Sequence, residues 1–347
     1  RSTRKVVLDV RDEAEPSPSP AKRRTPGAKK KKTPAKAKSG DGEVRQLFGG
    51  SSSPKSKEAT TSTSEKELPQ PSKEARARVS KSYEVVRKAT GALGGNADGG
   101  AIYGELTEGS MGRIIANLEE YCGFDAGCTF IDVGAGLGKP NIHAAQHPGC
   151  VCSYGVELMD LRYKLSMVNL KALLEEDCLN KNLFFSQGDI YDAQSFSGFT
   201  HVYMYDLGFP PEIREHIANM WAASGPHTRY LVSYIRPNVL INEYEMEIEE
   251  MTYADGEPLR VATSMHGSAE GHTAYFYKRV PFPEPTEPFP EDAAAIAEMT
   301  DEMFKEGFRL VGGPLGALKE HTENAVSDFL GSGRRTRSSR RRAAARS

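Results

Sequence analysis

Apolar positions recur along the chain with two different spacings. Met111, Ile114, Ile115 and Leu118 stand at i, i+3, i+4 and i+7, which predicts an amphipathic helix over 108–121. The run Thr129-Phe130-Ile131-Asp132-Val133 then reads as a short buried strand. Helices are expected over 139–147, 160–176 and 211–222, the last opened by Pro211, with strands over Val151 to Val156, 183–187, His201 to Tyr205 and Tyr230 to Ile235. Strands that alternate with helices need crossover connections, so the pattern predicts an α/β domain with a doubly wound, mainly parallel sheet. Beyond Ile235 the pattern changes. Segments 244–253, 259–265 and 273–279 read as strands with only short turns between them, an antiparallel addition. The Pro-rich stretch from Pro281 is expected to leave the sheet, and Ala293 to Phe304 to form one short peripheral helix.

The ends of the chain differ in kind. Residues 12–80 are rich in Ser, Pro, Thr, Lys and Ala with few aromatics, a composition that buries too little apolar surface to offset the cost of ordering the backbone. The expected division is a disordered basic tail over 1–80, a domain over 81–280 with a helical lead-in, a Pro-rich segment with a short helix over 281–330, and a disordered basic tail over 331–347. Charge follows the same division. Of 45 basic and 47 acidic side chains, 20 and 10 lie in residues 1–80, and 7 and none in 331–347, leaving 18 against 37 between them. A formal −2 thus conceals a core of −19 between ends of +10 and +7, which points to a polyanion such as DNA as a partner of the tails. Lys22-Arg23-Arg24 and Lys29 to Lys32 are spaced as in a nuclear import signal. Thr25-Pro26, Thr33-Pro34 and Ser53-Pro54 beside lysines resemble linker-histone tail motifs, with a merely solubilising linker as the plainer alternative. No run reaches the length of a membrane span, and Arg1-Ser2-Thr3-Arg4 lacks the apolar core of a secretory signal, so a soluble intracellular protein with a nuclear location is expected. A first residue other than Met is expected of a fragment or a trimmed chain. Five cysteines at irregular spacing predict reduced core thiols rather than a disulfide framework or a metal site, with Cys150 and Cys152 on one face of a strand.

The central chemical signal is Asp132-Val133-Gly134-Ala135-Gly136-Leu137-Gly138, directly after the first strand of the sheet. Gly134, Gly136 and Gly138 let the backbone approach a ligand and turn sharply into a helix N-terminus. The third glycine comes one residue early for the dinucleotide spacing, which disfavours a nicotinamide dehydrogenase. An acid two residues before the first glycine suits the ammonium of an amino-acid moiety, as in S-adenosylmethionine. Glu157 ends the second strand, where an acid can accept hydrogen bonds from two ribose hydroxyls, and Gly188-Asp189-Ile190 ends the third, pairing an acceptor for an adenine amine with an apolar side chain for the ring. Each acid alone is also explained as a helix cap. Asp206 closes the fourth strand ahead of Leu207-Gly208-Phe209-Pro210-Pro211; it either holds a nucleophilic amine between the apolar walls of Tyr205 and Phe209 or caps the next helix.

Tyr103-Gly104-Glu105, the 132–138 loop, Tyr154-Gly155-Val156-Glu157 and Gly188-Asp189 together resemble the ordered motifs of the disruptor-of-telomeric-silencing family of non-SET histone methyltransferases, over roughly 101–280. The resemblance implies a seven-stranded, Rossmann-like, S-adenosylmethionine-dependent methyltransferase fold. It implies that Tyr103 and Glu105 belong to a loop over the methionine end of the cofactor. Asp132, Gly134, Gly136, Gly138 and Glu157 would hold its amino-acid and ribose parts, and Asp189 and Ile190 its adenine. The implied activity is transfer of a methyl group to a lysine of histone H3, at position seventy-nine, in nucleosomes, by in-line displacement at the sulfonium methyl without a metal. Asp206, Tyr205 and Phe209 are then the catalytic candidates. The chain departs from the family's pattern at Lys139, where the family has Gln, around Asp206, where it has an Asn-Asn pair, and in lacking its late tryptophan, Trp221 being the only one here. A methyltransferase for another substrate and a non-catalytic chromatin-binding protein are the alternatives.

Overall fold

The computed structural model describes residues 70–91, 105–266 and 271–344. Five strands, β1 (Thr129–Val133), β2 (Cys152–Glu157), β3 (Leu183–Gln187), β4 (His201–Met204) and β5 (Tyr230–Ser233), run parallel in the order β3-β2-β1-β4-β5. The chain leaves β1 toward one edge and returns after β3 to the other side of β1. The carboxyl ends of β1 and β4 therefore flank the point where the winding reverses, the place where open α/β sheets bind ligands. β8 (Gly271–Arg279) joins β5 antiparallel, and its outer edge carries β6 (Ile248–Glu250) and β7 (Arg260–Ser264). Eight strands thus fill seven positions across the sheet: Tyr275 pairs with Ser233 on one side and Arg260 on the other, and Tyr277 with Leu231 and Glu250, so β6 and β7 share one edge. The expected count of seven is corrected in this sense. The doubly wound, mainly parallel α/β architecture is observed.

Helices α2 (Glu108–Cys122), α3 (Lys139–Gln146), α4 (Asp160–Glu175) and α5 (Pro211–Ala223) lie within one residue of their expected bounds, and α6 (Pro237–Asn242) adds a turn after β5. Strand alternation divides the core. Phe130 and Tyr203 pack with the α2 residues Met111, Ile114, Ile115 and Leu118, while Ile131, Val133, Val202 and Met204 join a larger cluster containing α4 and the C-terminal helices. Cys150 and Cys152 fall in separate clusters instead of on one face, because β2 starts only at Cys152.

Within the sheet β6 (Ile248–Glu250) covers only part of the strand expected over 244–253, and three segments outside the sheet also differ from expectation. α1 (Lys73–Ala89) begins inside the stretch expected to be a disordered tail; its Val85 and Val86 are buried, and Thr90 at its end donates to Asn169 Oδ1 at 2.9 Å. The Pro-rich segment yields α7 (Ala293–Met299) and α8 (Glu302–Gly312) in place of one peripheral helix, and Phe304 and Phe308 are fully buried against Tyr154 and Phe199. α9 (Leu315–Ala344) packs on α4 and carries helical backbone through most of the expected 331–347 tail. The basic clusters before residue 70 lie outside the described residues. Among the described residues no helix is long and apolar enough to cross a membrane.

Candidate active site

A cavity of about 600 Å³ opens at the carboxyl ends of β1, β2, β3 and β4. Its wall includes Glu105, Asp132, Gly134, Gly136, Glu157, Asp189, Ile190, Tyr205 and Phe209. Gly138 and Asp206 are not on that wall, and Tyr103 lies outside the described residues.

The glycine loop is built from the backbone outward. Gly134 N and Ala135 N both donate to Val156 O at 2.9 Å, which lashes the end of β1 to the end of β2. Glu157 completes the lashing: its Oε2 accepts from Gly136 N at 2.7 Å and its Oε1 from Met159 N at 2.8 Å. Each carboxylate oxygen has a second lone-pair site, so Glu157 can hold the loop and still accept from a ligand. Gly138 takes φ +82° as the N-cap of α3, and a Cβ there would lie 2.1 Å from the Phe185 ring. A glycine there permits the close helix–strand approach that places the loop. Asp189 accepts from Tyr191 N at 3.1 Å and caps a short 3-10 turn, with Ile190 beside it.

Asp132 is the least satisfied acid. It is 2% exposed, its Oδ2 has no hydrogen-bond partner among the described residues, and burial, then the neighbouring Glu157 carboxylate, raise its pKa well above the ordinary carboxylate range. An unpartnered buried carboxyl on a cavity wall calls for a cationic or hydrogen-bond-donating ligand group.

Asp206 lies off the cavity wall and turns into the fold. Its carboxylate accepts from Ser233 Oγ at 2.5 Å and from Tyr234 N at 2.8 Å, fastening the end of β4 to the end of β5. It caps no helix, since α5 has Pro210 as N-cap and no side-chain cap bond. Its pKa is raised to about 6 by burial, which outweighs the lowering from those two bonds. The residues it positions do reach the cavity: Tyr205 before it, and Phe209, whose ring comes within 3.4 Å of a Cβ placed on Gly134.

Three further wall residues, Tyr203, Met265 and Arg162, carry no signal of their own in the sequence. Tyr203 is the register partner of Asp132 across β1 and β4, and its hydroxyl lies 3.4 Å from that of Tyr234. Strand order alone brings it to the site. Met265 arrives through a bridge to Leu106, and Arg162 from the first turns of α4. Lys139 donates to Glu105 Oε2, with both side chains buried on the wall.

Comparison with known proteins places this geometry. Residues 96–182, about a quarter of the chain, match the family described as histone methylation protein DOT1. Two curated relatives are each described as histone-lysine N-methyltransferase, H3 lysine-79 specific. The protein of Kluyveromyces lactis is 33% identical over 72 residues and that of Eremothecium gossypii 34% over 77, covering 21% and 22% of this chain. In each case the match spans only 12% of the relative's length. Among solved structures, TrmK of M. capricolum in complex with S-adenosyl-homocysteine overlaps at 12% identity and a TM-score of 0.36, covering 52% of this chain and 72% of that one. TrmN from Thermus thermophilus overlaps at 16% identity and a TM-score of 0.35, covering 48% of each. The stretch from 96 to 182 of this chain, which contains the glycine loop, Asp132 and Glu157, thus matches the DOT1 histone-methylation family, the one its motifs resemble.

Proposed function

We propose that the chain is an S-adenosylmethionine-dependent protein lysine N-methyltransferase that acts on chromatin, at the lysine at position seventy-nine of histone H3. One observation carries the reading: a cavity at the switch point of the sheet has acids at three successive strand ends, and the first of them, Asp132, keeps a buried carboxylate oxygen unpartnered among the described residues. The wall fits the cofactor. Asp132 would take its ammonium, Glu157 its ribose hydroxyls, Asp189 and Ile190 its adenine, with Gly134 and Gly136 letting the backbone come close. When bound, the cofactor supplies an electrophilic methyl group on a sulfonium.

The chain's own residues must then receive a lysine amine. A free lysine with pKa about 10.4 is mostly protonated at neutral pH, so the site has to favour the neutral amine and align it. Tyr205 and Phe209 form apolar walls that exclude water, and Asp206 holds them by fastening β4 to β5. In this reading Tyr205 and Phe209 touch the substrate and Asp206 is a positioning residue. The relatives' descriptions, the nuclear-import spacing in the N-terminal segment and the −19 core support a basic, chromatin-bound substrate and a nuclear location. DNA binding through the basic ends belongs to the same proposal.

The experiment is transfer of tritiated methyl from S-adenosylmethionine to reconstituted nucleosomes by the full chain. Label on histone H3 that disappears when the lysine at position seventy-nine is replaced by arginine is the expected outcome. Label that persists on H3, or sits on another histone, overturns the substrate assignment.

A further inference from the structure

A second cavity, of about 480 Å³, lies among α1, α2 and α3 and shares no wall residue with the first. Its walls bring together Arg76 of α1, Arg113 of α2, and His143 and His147 from α3 and its C-cap, against a single carboxylate, Glu108. That carboxylate is engaged, since its Oε1 accepts from Ser80 Oγ at 2.8 Å. Gly112 stands inside α2, where glycine destabilises a helix relative to alanine. Packing does not demand it: a Cβ there would meet only the His143 ring, at 3.7 Å, an ordinary contact. The missing side chain keeps open the space beside His143.

His143 is 4% exposed, and its one side-chain hydrogen bond among the described residues is to the Tyr83 hydroxyl, 3.4 Å from its Nδ1. Burial, then the neighbouring His147, pushes the His143 pKa down to about 3, and burial pushes that of Tyr83 up, so the ring is neutral and the hydroxyl keeps its hydrogen. With Tyr83 donating to Nδ1, the ring hydrogen sits on Nε2, which has no partner among the described residues. His147 Nε2 is also buried without a hydrogen bond, although Glu119 Oε2 lies 3.2 Å away, out of line for one. Arg113 has donors to spare, because only its Nη2 is engaged, by Ser110 Oγ at 3.3 Å and Ala262 O at 2.9 Å. Among the described residues no three His, Cys, Asp or Glu side chains converge as metal ligands, so the histidines call for a different guest. A buried donor without a partner and two guanidinium groups around one space suit a ligand with several acceptor oxygens.

We propose that the cavity among α1, α2 and α3 is a binding site for a phosphate-bearing small molecule, with Arg76 and Arg113 on its phosphate oxygens and His143 donating to it from Nε2. Phosphate suits the walls better than a carboxylate, because its oxygens point in more than two directions, toward guanidinium groups from two helices and an imidazole from a third.

Calorimetric titration of the full chain with inorganic pyrophosphate, at about 0.15 M salt to screen the exposed basic ends, tests the site. One-site binding is expected, weakened by roughly tenfold to a hundredfold in Arg76→Gln/Arg113→Gln. Gly112→Leu, which fills the space and leaves the arginines and the basic ends in place, should abolish binding while the melting temperature holds or rises. Saturating S-adenosylmethionine should leave pyrophosphate affinity within about threefold, since the two cavities have separate walls. Should Gly112→Leu not melt cooperatively, the double arginine variant, whose replaced side chains belong to exposed residues, decides alone. Equal heats in the wild type and a folded Gly112→Leu would put the ions on the basic ends and overturn the proposal. A wild type without one-site binding, or a double arginine variant that binds as tightly as the wild type, overturns it as well. Competition by S-adenosylmethionine would place pyrophosphate in the first cavity, with the same consequence.

Discussion

Asp132 and Asp206 are both buried acids whose carboxyls titrate above the ordinary range, and their hydrogen bonding separates their roles. Asp206 makes both of its hydrogen bonds inside the fold and lies off the cavity wall. Its folded pKa of about 6 lies above its unfolded value of about 3.9, so the folded state binds the extra proton between those limits. Stability from this group is therefore full below about pH 4 and lost as pH rises through about 6. Replacing it with asparagine keeps an acceptor for Tyr234 N and removes the buried charge. The melting temperature of the wild type minus that of Asp206→Asn should fall between about pH 4 and about pH 6.5; a difference that stays flat would remove the burial argument. Asp132 is the converse case, with an oxygen left for a ligand. A cation placed against it favours the ionised form, so affinity for S-adenosylmethionine should rise with pH as that carboxyl ionises, and Asp132→Asn should flatten the dependence. Equal pH slopes in the two proteins would contradict the pairing. These two aspartates also mark what sequence can convey. An acid at a strand end is legible, but whether its carboxylate turns to the cavity or to the next strand depends on where Ser233 and Tyr234 stand, which local sequence does not encode. Tyr203 is illegible for the same reason, since its pairing with Asp132 is a fact of strand order.

At the scale of elements, β1 to β5 and the helices between them are legible because each has a clean spacing and a turn signal. The C-terminal helices are not. α8 does carry an apolar stripe, Phe304, Gly307, Phe308 and Val311 at i, i+3, i+4 and i+7, but it follows a Pro-rich stretch whose composition points to the periphery. The stripe covers the core side of β2 and β3: a Cβ on Gly307 would lie 2.3 Å from the Tyr154 ring. Phe304→Ala should accordingly destabilise the fold by about 3–5 kcal/mol in denaturant titrations. A cost under about 1 kcal/mol, the level of a surface change, would return α8 to the periphery.

Over the whole molecule the charge divides by location, and the basic end of α9 continues a helix that is packed on α4. Replacing Arg334, Arg335, Arg337, Arg340, Arg341 and Arg342 with glutamine should weaken nucleosome binding and flatten its dependence on salt, by about one unit of slope for each phosphate that an arginine there neutralises. Unchanged slopes would leave that end with a role other than DNA binding. The cavity at the carboxyl ends of β1, β2 and β3 is proposed to take S-adenosylmethionine with Glu157 on the ribose. Calorimetric titration of the full chain with S-adenosylmethionine, set beside the same titration of Glu157→Ala and a titration with NAD, decides it. One-site binding of S-adenosylmethionine, none of NAD, and a loss of about tenfold to a hundredfold in a variant that still melts cooperatively is the predicted result. A folded Glu157→Ala protein that binds S-adenosylmethionine as tightly as the wild type would remove Glu157 from the site, and a wild type that does not bind it would remove the cofactor from the cavity.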